Sequence, residues 1–210
     1  MTTNPWLPRA SNEPASAPPA PPEPNSLQDG RSGVNVPQSG VPVPDRVDQL
    51  PTRDQPNVAT LWWLGVHGGA GETTLARLLP GTRPAEHAWP RPPATTYVPT
   101  RVVLVARPHA SGLRAAQKAA THWAAGALPD VQLLGLVIVA DAPGRLPRPL
   151  RELAALVSGG VPQTWQVPWI ESWRLGDDVA LESAPREVRR LIADLTALAP
   201  NLGPAAGTDR

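Results

Sequence analysis

The stretch that most constrains this chain is Leu61-Trp62-Trp63-Leu64-Gly65-Val66-His67-Gly68-Gly69-Ala70-Gly71-Glu72-Thr73-Thr74-Leu75. An apolar run ends in a glycine-rich loop, and the loop opens into a short helical pattern. A strand, a glycine loop and a helix in that order form the setting in which a loop binds phosphate. Glycines let backbone N–H groups turn inward, and the first turn of the helix adds partial positive charge. Such a loop needs a lysine followed by Ser or Thr. Thr73 is in place, but Glu72 holds the lysine position. Trp62 and Trp63 are adjacent, so they point to opposite faces of a strand. Both faces must then be covered, as in the central strand of a sheet with helices on each side.

The rest of the chain extends that pattern. Apolar strands are predicted at Val102 to Ala106, within Val131 to Ala140, and at Thr164 to Val167. Helices are predicted from about Gly112 to Ala125, capped by Ser111, from Arg148 to Val157, and from a Ser183 cap to about Ala199. Leu113, Ala116, Ala120 and Trp123 share one helical face, as do Val188, Leu191, Ile192, Leu195 and Leu198. Strands alternating with helices predict an α/β fold with a parallel sheet and right-handed crossovers. Residues 80 to 100 are dense in proline and are predicted to be an irregular loop pinned by Trp89 and Tyr97. Residues 1–57 have no apolar periodicity and read as a disordered Pro-rich tail, with Trp6 as its only aromatic residue. The expected organisation is that tail, an α/β domain over 58–200 and a disordered C-terminus over 201–210.

Composition excludes several functions. A formal net charge of +1 gives no global field for nucleic acid or anionic lipid, and neither a basic stripe nor a helix-turn-helix is present. Zero cysteines exclude disulfides, thiolate metal sites and cysteine nucleophiles. No Gly-x-Ser-x-Gly nucleophile elbow occurs. The histidines (His67, His87, His109 and His122) show no ligand spacing with Asp or Glu, so no metal site is expected, although Glu86-His87 has the form of half a site. No leader-like start and no apolar run of ~20 residues is seen. The expectation is a cytoplasmic protein without a membrane span or direct nucleic-acid contact.

His67-Gly68-Gly69-Ala70-Gly71-Glu72-Thr73-Thr74 resembles the deviant P-loop Lys-Gly-Gly-x-Gly-Lys-Thr-Thr of ParA/MinD-type ATPases, with His67 and Glu72 in place of the two lysines. Val102 to Pro108 and Ser111 to Ala116 are similar to the strand and helix that follow Walker B in that family. Leu136 to Asp141 is similar to a strand ending in Asn or Asp, and Gln166-Val167-Pro168-Trp169 to a turn that passes the adenine base. The resemblance spans about residues 60 to 175. It implies a reduced P-loop NTPase-like fold with a degenerate nucleotide site at His67, Gly68, Gly69, Ala70, Gly71, Glu72, Thr73 and Thr74. It also implies a base or metal vicinity at Asp141, Pro168, Trp169 and Arg174. The family's switch and Walker B block has no counterpart here, because the proline-rich interval stands in its place. The pattern as a whole also resembles an uncharacterised family of actinobacterial proteins.

Phosphoryl transfer needs charge stabilisation by lysine and Mg²⁺. A like charge ~4 Å from phosphate costs on the order of 4 kcal/mol at an effective dielectric of about 20, against ~8 kcal/mol for a whole micromolar site. The expected function is therefore a non-hydrolysing pseudo-ATPase with no catalytic residue and no cofactor. It would act as a regulatory or interaction module, pairing with itself or with a true ATPase through the loop face. Glu72 is expected to fold back onto the loop N–H groups, and Glu72→Lys to restore phosphate affinity. Two alternatives stand beside this. One is a nucleotide-dependent ATPase using ATP and Mg²⁺ with an unusual loop. The other is a structural adaptor recruiting partners through the Pro-rich tail.

Overall fold

The computed structural model describes residues 33–93 and 99–199. The tail's first 32 residues with Trp6, the expected pin Tyr97, and the C-terminus from 200 onward lie outside the described residues. After a 3-10 turn at Arg46–Asp48 the chain forms β1 (Thr52–Asp54), β2 (Leu61–Gly65), α1 (Glu72–Ala76), β3 (Thr82–Pro84) and β4 (Trp89–Arg91). It continues through β5 (Thr100–Ala106), α2 (Ala110–Ala124), β6 (Val131–Val139), α3 (Arg148–Gly159), β7 (Thr164–Val167), α4 (Glu171–Leu175) and α5 (Arg186–Leu198).

The main sheet has the order β3-β2-β5-β6-β7, and each neighbouring pair is parallel. Alternation divides its side chains between two cores. Trp62, Leu64, Val102, Leu104 and Ile138 meet Leu113, Ala116 and Trp123 of α2 and Val157 of α3. Trp63, Val103, Val105, Val137 and Val167 meet Leu75 of α1 and Val188, Leu191 and Leu195 of α5. The two tryptophans thus lie on opposite faces, both covered. An α/β fold with a parallel sheet flanked by helices is what the residues dictate. Among the described residues no helix is long and apolar enough to cross a membrane.

A bulge re-phases β6. Leu133 pairs with Val102 and Gly135 with Val103, so one extra residue sits between them. Leu133 and Leu136 consequently fall in the same core although they are three apart. A Cβ on Gly135 would lie 2.3 Å from the Gln163 carbonyl oxygen and 2.7 Å from the Trp165 ring. Only glycine fits.

Several expectations need correction. Residues 80 to 100 are not wholly irregular: β3 pairs with β2, and β4 pairs with β1. Proline is tolerated there because both strands are short and at an edge, where one side of the backbone needs no donor. Trp89 does pin the segment to the body, as a fully buried core residue on β4. The body also starts earlier than residue 58. Val34, Val41 and Leu50 pack on the α2 side of the core, the Gln38 N–H donates to the Ala124 carbonyl at 2.8 Å, and Lys118 pairs with Asp48 at 2.5 Å. An extended strap touches the body at irregular intervals, so it has no periodicity to read. The cap of α2 is His109, whose Nδ1 accepts from the Gly112 N–H at 2.9 Å, and not Ser111. Pro185 precedes α5, while the Ser183 hydroxyl donates to the Ala180 carbonyl.

Candidate functional site

From β2 the chain moves outward to β3, then returns across β2 to reach β5 and continues to β6 and β7. The strand order reverses between β2 and β5. In open parallel sheets the crevice beyond the carboxyl ends of the strands at such a switch point is where ligands bind. The glycine loop leaves β2 there, Arg107 follows β5, Asp141 follows β6 and Pro168 follows β7.

Glu72 lies behind the loop. Its side chain is buried, and Oε2 accepts the Gly65 N–H at 2.5 Å. The carboxylate does fold back, but onto the last residue of β2 instead of the loop N–H groups beyond it. His87 closes the arrangement: its Nδ1–H donates to the Gly65 carbonyl at 2.8 Å and lies 3.6 Å from Glu72 Oε1. Two consecutive left-handed residues, Glu86 at φ +53° and His87 at φ +60°, aim that ring inward. Such conformations cost ~1–3 kcal/mol each and persist only where surrounding contacts hold them. Burial pushes the Glu72 carboxyl above the usual range, against the Gly65 N–H and His87, which pull it down. A Cβ on Gly65 would sit 2.9 Å from the carboxylate, so the glycine admits this close approach.

His67 ties two strand ends together. Its Nε2 accepts the Arg107 backbone N–H at 3.0 Å, and its Nδ1 lies 2.9 Å from the Gly68 carbonyl. An accepting Nε2 and a carbonyl at Nδ1 assign the neutral Nδ1–H tautomer. Burial lowers its pKa, consistent with that form.

Arg107 is the residue that the sequence did not single out. Its Nε donates to the Gly69 carbonyl at 3.1 Å and its Nη1 to the Ala140 carbonyl at 2.6 Å. The guanidinium thereby bridges the glycine loop and the end of β6. Burial lowers its pKa, Asp141 raises it and Arg174 lowers it further. It remains a cation at any working pH. No motif marks it, because its partners are more than 30 residues away in sequence.

Arg107 lines a crevice of about 340 Å³ together with Gly69, Gly71, Thr74, Asp141, Trp169 and Arg174. Pro168 also borders it. Of the expected nucleotide loop, then, Gly69, Gly71 and Thr74 reach the crevice. Ala70 is buried in the core, Gly68 and Thr73 face solvent, and His67 and Glu72 serve the scaffold. Asp141, Pro168, Trp169 and Arg174, the other residues expected from the resemblance, all line this crevice. Trp169 is half-buried there, with its Nε1–H donating to Glu171 at 2.9 Å and the Arg174 guanidinium 6.0 Å from its ring centre. Trp165, four residues earlier, is the core residue, with its Nε1–H on Asp194 at 3.0 Å.

A family model described as "Family of unknown function (DUF6668)" matches residues 59–192. No curated protein and no solved structure matches the chain. The expected kinship with ParA/MinD ATPases is corrected by that match, which is to another family and to no P-loop family. The local chemistry agrees with the correction: both lysines are replaced, and the replacements hold the chain's own backbone.

Proposed function

We propose, for a chain that belongs to the family of unknown function DUF6668, a non-hydrolysing regulatory or interaction module whose working surface is the glycine-loop face. The observation that carries this reading is the buried Glu72 carboxylate, engaged with the Gly65 N–H at 2.5 Å. Phosphoryl transfer depends on cations positioned around the transferred group. The position from which a lysine would supply one instead fastens α1 to β2. Two features support a protein partner at this face. Gly68 and Gly69 present exposed backbone with open space beside them. Half-buried Trp169, Ile170 and Trp173 and exposed Leu175 give the apolar and aromatic contacts on which interfaces depend. The partner is a second copy of the chain or another protein, and the setting is the cytoplasm expected from the sequence.

The test is phosphate release from ATP and Mg²⁺ by the full chain, beside a buffer blank and the Glu72→Gln variant. We expect wild type to match the blank. Release that Glu72→Gln abolishes would make Glu72 a working group and overturn the reading. Sedimentation of the same chain over a range of concentrations separates a second copy from a foreign partner.

A further inference from the structure

We infer that the crevice beyond β5, β6 and β7 is an oxyanion site, in which Arg107 and Arg174 hold the phosphate or carboxylate group of a small ligand. This deepens the reading above by giving the same face a ligand. It rests on that reading only for the choice of face and needs no hydrolysis.

The first support is uncompensated charge. The ion pairs among the described residues are Arg53–Glu86, His87–Glu72, Arg91–Asp54, Lys118–Asp48, Arg148–Glu152 and Arg190–Asp194. Neither Arg107 nor Arg174 belongs to one. The hydrogen bonds of Arg107 go to two carbonyl oxygens, which fix the plane of the guanidinium without neutralising it. Asp141 lines the same crevice and acts on Arg107 through space, but it comes within ion-pair distance of neither arginine. The lining thus carries two cations and one carboxylate and is net positive, while the Glu171 carboxylate lies outside the lining, on the Trp169 Nε1–H. Arg174, an exposed lining residue, has its guanidinium over the Trp169 ring.

The second support is shape. Gly69 and Gly71 have φ of +73° and +108°, conformations that side chains rarely adopt, so the loop wall stays bare backbone. Arg107 Nη2 lies 3.7 Å from where a Cβ on Gly71 would be, an ordinary contact distance, so the guanidinium borders the bare loop wall directly. At about 340 Å³ the crevice is at the small end of ligand pockets. The third support is where the negative charge went. Glu72, the residue that the sequence sets against an anion, does not line the crevice. Its carboxylate is turned toward Gly65 and His87.

Guanidinium groups bind phosphate and carboxylate through the same paired N–H···O geometry, so both sources are tested. Calorimetric titration of the full chain at low ionic strength uses inorganic phosphate in one arm and malonate in the other. We expect saturable binding in at least one arm, weakened by added NaCl. The stronger arm identifies the source. Arg107→Ala removes two scaffold hydrogen bonds as well as a cation, so its fold is checked by circular dichroism. Arg174→Glu is exposed and removes no hydrogen bond, which makes it the cleaner variant. It should weaken the anion by about tenfold or more with an unchanged melting temperature. The inference is overturned if neither anion binds saturably, or if Arg174→Glu leaves the affinity of the bound anion unchanged. Phosphate release from ATP would sink the non-hydrolysing reading and leave this site standing. Failure of both anions would do the reverse.

Discussion

At the scale of single residues, Glu72 shows how one side chain can look like a lesion in a site and be a fastener. Its identity is plain in the sequence, and so is its conflict with phosphate. Its partner is not, because the Gly65 N–H is ordinarily spent within a sheet and nothing marks it as free. The structure changes what substitutions there should do. Glu72→Lys would set an ammonium donor against the Gly65 N–H donor in a buried place, leaving both unpaired, at a cost of roughly 2 kcal/mol or more. The restored phosphate affinity expected from the sequence is therefore read only against that loss, by urea denaturation of the variant. Glu72→Gln keeps the shape and an accepting oxygen, so it isolates the charge. A carboxyl whose folded pKa lies above its unfolded value holds its proton more tightly when folded. Its contribution to stability is complete below the unfolded value, about pH 4.3, and is lost as pH rises through the folded value. The wild-type melting temperature minus that of Glu72→Gln should therefore fall as pH rises above the unfolded carboxyl value. His67 and His122, both lowered by burial, act in the opposite sense and lose stability as pH falls. They are common to both proteins and cancel in the difference. A difference that stayed flat or grew with pH would show that the carboxylate is not strained by burial.

At the scale of elements, Gly135 governs the sheet. A Cβ there meets the Gln163 carbonyl and the Trp165 ring, neither of which can swing away, since Trp165 is buried and tied to Asp194. Gly135→Ala should cost about 1–3 kcal/mol, the range for overpacking and strain in a core. Chemical denaturation measures it, and a loss below about 0.5 kcal/mol, the scatter of surface changes, would mean that the bulge is not tightly held. Strands such as β5 and β7 were legible because an unbroken apolar run between breakers leaves few other readings. β3 and β4 were not, because Pro84 and Pro90 argue locally against any strand. What admits them is tertiary: the Ala85 N–H reaches the Trp63 carbonyl at 2.8 Å, and the Trp89 N–H reaches the Pro51 carbonyl at 2.8 Å. α4 escaped notice because five residues are too few to show a helical period. Within the crevice, the glycines, Asp141 and Trp169 were legible as residue types next to strand ends, and Arg174 only through the resemblance. Arg107 was not, since its meaning lies in two carbonyls supplied by other elements.

At the scale of the whole molecule, the strap of residues 33–57 belongs to the folded body. Val34, Val41 and Leu50 cover the α2 side of the core, and β1 supplies the only sheet partner of β4 among the described residues. Without it, the buried Trp89 would lose the Pro51 carbonyl that its N–H uses, and the Ala124 carbonyl at the end of α2 would lose the Gln38 N–H. Releasing the strap returns chain entropy, ~1–2 kcal/mol per residue of fixed backbone, which offsets much of the lost contact energy. The net effect is set by what the remainder cannot repair. Trp89 and Leu50 form one apolar surface with α2, and a half-exposed tryptophan and an unpaired edge strand have no substitute partners. Deleting residues 1–57 should thus lower the melting temperature by roughly 4–8 °C relative to deleting residues 1–32, equivalent to ~2 kcal/mol at this size. Limited proteolysis of the full chain should correspondingly leave a resistant body starting near residue 33 instead of near residue 58. Equal melting temperatures for the two truncations, with cleavage at residue 58, would show that the strap rests on the body without stabilising it.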